Sequence, residues 1–77
     1  MKKAQKEQLD AIVSILKIAR GSLGSLCDEV QESFDKIPEY RQETEKYYTM
    51  EEEIDNMSDA VDAMDEAIDS LTGITEG

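Results

Sequence analysis

Apolar residues recur at steps of three and four on both sides of the single proline, Pro38, and this pattern constrains the chain more than any other feature. Before the proline the row is Leu9, Ile12, Leu16, Ala19, Leu23, Leu26, Val30, Phe34 and Ile37. After it come Tyr47, Met50, Ile54, Met57, Val61, Met64, Ile68 and Leu71. Such spacing gathers side chains on one face of an α-helix, as in the a/d seam of a coiled coil. Pro38 lacks a backbone donor and pushes Ile37 away from helical geometry, so the first helix should finish by Lys36.

These marks predict a first helix over 3–36, a turn over 37–43, a second helix over 44–72 and a short tail over 73–77, all within one domain over 1–77. Thr44 is a candidate cap for the second helix. Gly73 offers a left-handed residue after Thr72, with Ile74 placed for the apolar contact of a Schellman motif. Folding the chain back at the turn pairs residues whose numbers sum to about 80, such as Leu16 with Met64 and Ala19 with Val61. The expected fold is all-α: an antiparallel two-helix hairpin, coiled-coil-like, about 45 Å long at about 1.5 Å per residue.

Gly21 and Gly24 fall in the middle of the first helix. The apolar row keeps its phase across them, which favours one continuous helix at a cost of roughly 1 kcal/mol per glycine relative to alanine. The small side chains leave room for a bend or for a second backbone. Val13, Ile15 and Ile18 add an apolar surplus beside the seam, wider than one partner helix needs. Together with Gly21, Ser22 and Ser25 they form a candidate interface through which two hairpins would make a homodimeric four-helix bundle. Self-association also suits a chain of 77 residues, which buries too little surface for an ample core. With one cysteine, Cys27, and no histidine, disulfide and zinc staples are not expected. Cys27 reads as a small buried hydrophobe, and Met50, Met57 and Met64 as core filling.

Charge is divided along the chain. Up to Ile37 six basic and six acidic side chains balance, whereas from Glu51 onward there are ten acidic residues and no basic one. Glu52, Asp55, Asp59, Asp62, Glu66 and Asp69 recur on the face opposite the second seam and are the candidate partner-binding residues. Such a face can simply keep a bundle in solution. It lacks, however, the interspersed lysines that would relieve its repulsion through i,i+4 pairs. Carboxylates about 5–6 Å apart also approach the spacing of phosphates along a nucleic-acid strand, so the face can mimic one. The net charge of −11 disfavours direct contact with nucleic acid or anionic lipid and favours a basic protein partner. The lone cysteine and the charged start point to a reducing, cytoplasmic location, and no stretch has the roughly 20 apolar residues that cross a bilayer.

Chemistry finds little support in these residues. "DNMSDAVDAMDE" has neither the ligand spacing nor the glycine of an EF-hand loop, and a di-metal carboxylate bundle needs the absent histidines. No base, nucleophile with an activating partner or phosphate-binding loop is present, so neither enzymatic activity nor a cofactor is expected. Tyr40, Arg41 and Tyr48 could form a contact patch near the hairpin tip.

The tract "VQESFDKIPEYRQETE" followed by "MEEEIDNMSDAVDAMDEAIDSL" resembles small acidic helical proteins encoded by phages, prophages and related mobile elements. The resemblance spans about Leu9 to Leu71, carried by Phe34-Asp35, the Ile37-Pro38-Glu39 turn and the acidic second helix. Gly21 and Gly24 depart from it, because helix formers such as Glu are expected there. It implies an intracellular, mobile-element origin and brings neither an assigned activity nor site residues. The expected function is a non-enzymatic acidic protein that binds and blocks a basic, nucleic-acid-handling protein. Two other functions fit the same pattern: a structural, assembly or scaffold protein of a phage or mobile element, and an antitoxin-like neutraliser of a basic toxin.

Overall fold

In the computed structural model, which describes residues 1–76, the chain forms two long helices, α1 (Lys3–Asp35) and α2 (Glu45–Glu76), joined by a short 3-10 turn at Glu39–Arg41. The helices pack antiparallel in a rod of 59 × 14 × 14 Å. That length follows from 33 and 32 helical residues at about 1.5 Å per residue, with the turn added.

Local chemistry sets the helix ends. At the start of α1 the Lys2 backbone N–H donates to Gln5 Oε1 at 2.9 Å, occupying a donor that would otherwise face water. At its end the Ile37 N–H reaches the Phe34 carbonyl at 3.1 Å. Pro38 then takes an extended ψ of 149°, with its φ fixed by the ring. The Arg41 N–H closes the turn on the Pro38 carbonyl at 2.9 Å. Thr44 caps α2 as its sequence position suggests, its Oγ1 accepting from the Tyr47 N–H at 3.2 Å, the usual cap geometry. Phe34 stacks on Tyr47 with ring centroids 4.6 Å apart, pinning the two helices together next to the turn.

α1 runs unbroken through Gly21 and Gly24, and no glycine among the described residues has a positive φ. Helical continuity therefore holds. The same observation corrects the expected end of α2. Gly73 is helical, not left-handed, no Schellman turn forms, and the helix continues through Glu76, with Thr75 Oγ1 donating to the Thr72 carbonyl at 3.2 Å. Glycine permits a left-handed stop but does not impose one. Residue 77, the last of the expected tail, lies outside the described residues.

The α2 seam is the expected one: Ile54 is buried, and Tyr47, Met50, Met57, Val61, Met64, Ile68 and Leu71 are half-buried. The α1 seam is shifted. Ile12, Ala19 and Leu26 are exposed, and their places are taken by the residues that follow them, Val13, Arg20 and Cys27. The observed row, Leu9, Val13, Leu16, Arg20, Leu23, Cys27, Val30, Phe34 and Ile37, advances by strictly alternating steps of four and three. The expected row needs two consecutive steps of four before it reaches Phe34. The observed row therefore keeps one heptad phase from Leu9 to Ile37, whereas the expected row changes phase after Val30.

Among the described residues only Val13 and Ile54 are buried, each 7% exposed. Two helices alone cover one stripe of each other, which leaves this hairpin with little interior. Ile12, Ile15, Ile18 and Leu26 remain 50%, 66%, 71% and 48% exposed, all on α1.

Candidate protein-binding surfaces

The seam gives the hairpin two edges and two broad faces that differ in chemistry. On the outer edge of α2, away from α1, Glu52, Asp55, Asp59, Asp62, Glu66 and Asp69 are all exposed. At 3.6 residues per turn they form one row about 26 Å long. The ion pairs among the described residues, Arg20 with Asp65 and Lys36 with Glu32, involve none of the six.

Asp65, which the expected carboxylate row leaves out, is the acidic residue of α2 nearest the seam. Arg20 reaches it from α1, with Nε donating to Oδ1 at 2.7 Å and Nη2 to Oδ2 at 3.2 Å. This fork-on-fork geometry suits guanidinium and carboxylate. The hydrogen bond from Arg20 holds the Asp65 carboxyl below its ordinary pKa, against a smaller opposing effect of desolvation, the direction expected when the charged form is the one that is bonded. The same bond, with the nearby charges of Asp65, Asp62 and Asp28, raises the Arg20 pKa. The pair also explains how an arginine can occupy a seam position: its stem covers apolar surface and its head meets a carboxylate at the edge.

One broad face carries a shallow cleft lined by Gly21, Gly24, Ser25 and Asp28 of α1 and by Ser58 and Val61 of α2. A Cβ on Gly21 would meet nothing within 4 Å, and one on Gly24 only the Arg20 Nη1, at 3.3 Å. Within the hairpin these glycines admit no close backbone, and the cleft is open.

The expected dimer set is thereby divided. Val13 belongs to the hairpin core and is not available to a second molecule, a correction that follows from the seam shift. Gly21 and Ser25 line the cleft, whereas Ile15, Ile18 and Ser22 are exposed on the part of α1 turned away from it. At the tip, Tyr40 and Tyr48 are exposed. The Arg41 guanidinium lies 5.7 Å from the centre of the Tyr40 ring, within reach of its π-face.

Among the described residues no three potential metal-ligating side chains converge, and no helix is long and apolar enough to cross a membrane. Compared with known proteins, the chain matches no family model, and no curated protein or solved structure is similar to it at a significant level.

Proposed function

We propose that the protein is a non-enzymatic acidic interaction module, in which a helical hairpin, paired into a four-helix bundle, presents the outer edge of α2 to a basic protein. One observation carries this reading: the six carboxylates from Glu52 to Asp69 stand in a single exposed row, outside both ion pairs found among the described residues. Repulsion along such a row costs stability, and a cationic partner converts that cost into attraction. A rigid anionic rod can occupy the groove with which a protein holds nucleic acid, so a nucleic-acid-handling protein is the partner class that fits best.

The test is binding of the labelled hairpin to a panel of basic nucleic-acid-binding proteins. Raising the salt from about 0.01 M to about 1 M shortens the Debye length from about 30 Å to about 3 Å and should abolish such a complex. The triple variant Asp55→Asn/Asp59→Asn/Asp62→Asn should lose affinity at low salt, and added DNA should compete with the wild type. Binding that ignores both salt and the triple variant would remove the acidic row from the function.

A further inference from the structure

We infer that a second copy of the hairpin packs on the broad face opposite the cleft between Gly24 and Ser58, with the bulky exposed residues of α1 set against the alanines of α2 in the other copy. This rests on the pairing invoked above and specifies its surface and arrangement.

The cleft fixes which residues share a face. Because Gly24 and Ser58 line it together, residues on the far side of each seam lie together on the other broad face. At 3.6 residues per turn, those of α1 are Ile12, Ile15, Ala19, Ser22 and Leu26, and those of α2 are Asn56, Ala60, Ala63, Ala67 and Ile74. All of them are exposed, and none is charged. The charged side chains over the same lengths, Asp10, Lys17, Arg20 and Asp28 on α1 and the carboxylates of α2, project elsewhere. A chain in which 35% of residues are charged has thus kept this face free of charge from Ile12 to Leu26 and from Asn56 to Ile74, with Glu29 and Glu53 of the same helix rows bounding it toward the turn. Solvation alone gives no reason for that, and exposed apolar patches of this extent mark protein interfaces.

Surface area points to the occupant. For a chain of this mass, 8.7 kDa, a compact monomer exposes about 4700 Å². The hairpin exposes 5867 Å². The excess is of the same order as the roughly 800 Å² per partner that a specific interface covers. A second copy supplies a surface of the same length, flat and equally free of charge. It also leaves both acidic edges outward, where their repulsion is least.

Side-chain size selects the arrangement. Stacking α1 on α1 would place Ile12, Ile15 and Leu26 against one another and bring alanine to alanine on the other side, which would force unequal helix spacings. Setting α1 on the second copy's α2 places large residues over small ones on both sides and equalises the spacing. The two-fold axis then runs along the bundle, both turns lie at one end, and Ile15 faces Ala67 of the second copy.

Sedimentation equilibrium of the wild-type chain should give twice its mass of 8.7 kDa. Ile15→Glu, at an exposed position of the hairpin, should return the mass to that of one chain while circular dichroism keeps its helical signal. On a Cys27→Ser background, an oxidised mixture of Ile15→Cys and Ala67→Cys chains should form a mixed disulfide, and Ala19→Cys alone should not. A monomeric wild type across the micromolar to near-millimolar range would overturn the inference and the pairing together. A dimer linked through Ala19→Cys alone would overturn the arrangement and leave pairing intact. Neither result bears on the acidic edge, which the salt titration tests separately.

Discussion

Arg20 of α1 grips Asp65 of α2 through two hydrogen bonds, the shorter 2.7 Å, and thereby links the helices at mid-length across a seam position that apolar periodicity assigns to a hydrophobe. The link lies about one helical turn further along α2 than the expected pairing of Ala19 with Val61, a distance that the long arginine side chain spans.

This pair makes stability depend on pH with a definite sign. Arg20 depresses the folded-state pKa of Asp65, so on acidification the unfolded chain takes up that proton first. The contribution is complete above the ordinary carboxylate pKa of about 3.9 and disappears as pH falls through the depressed folded value. Asp65→Asn should therefore melt below the wild type at neutral pH, and the two melting curves should converge under acid. Both side chains are half exposed, so added salt should also narrow the gap. An unchanged gap at low pH would show that Asp65 acts through packing instead.

The shifted α1 seam predicts which thiol is protected. Cys27 is half-buried against α2, whereas Ser25 is exposed two residues earlier. A thiol reagent should modify Cys27 several-fold more slowly than the cysteine of a Ser25→Cys/Cys27→Ser variant, and the difference should vanish in denaturant. Equal rates would return Leu26 to the seam. On the α2 side Ile54 fills much of the small interior, so Ile54→Ala should cost about 2–5 kcal/mol. Domains typically hold only about 0.05–0.15 kcal/mol per residue, so that loss should remove a large share of the stability and lower the melting temperature steeply.

The α2 seam, the turn at Pro38 and the continuity of α1 are legible in the sequence because each rests on a regular signal: unbroken spacing, a missing donor, a phase kept across glycines. The α1 phase is harder to read. Leu9, Leu16, Leu23 and Val30 fit two rows equally well, and apolarity favours Ile12, Ala19 and Leu26 over an arginine and a cysteine. The deciding clue lies in Phe34 and Ile37, which only the row through Val13 and Arg20 reaches without a double step. Arg20 hides that row because its partner lies 45 residues away, a pairing that no local pattern reveals. The same ambiguity merges Ile15, Gly21 and Ser25 into one set, although the helix places them on different sides. The acidic edge is fully legible, since one face of one helix needs no tertiary information.

Gly21 and Gly73 are glycines in helix interiors with open space where a Cβ would stand. Gly21→Ala and Gly73→Ala should each stabilise the chain by about 1 kcal/mol. In a domain of this length that corresponds to a rise in melting temperature of about 4–8 °C. Gly24→Ala should yield less, because its Cβ would meet the Arg20 Nη1 at 3.3 Å and disturb the hold on Asp65. Destabilisation by Gly21→Ala would mean that a second molecule approaches this face closely, and would move the intermolecular contact to the cleft.

The outer edge of α2 sets the response to salt. Asp55, Asp59, Asp62 and Glu66 follow one another at three or four residues, and like charges at that spacing oppose helix formation. Screening removes the opposition. Raising ionic strength from about 0.01 M to about 1 M should therefore increase the melting temperature, unlike in a protein held mainly by surface ion pairs. Asp55→Asn/Asp59→Asn/Asp62→Asn should melt above the wild type at low salt and respond less to added salt. A cationic partner lowers the same repulsion by occupying the edge, so its binding should raise the wild-type melting temperature more than that of the triple variant. If the wild type melts lower as salt is added, attraction between charges outweighs repulsion in this fold, and the edge no longer favours a cationic partner in the way proposed.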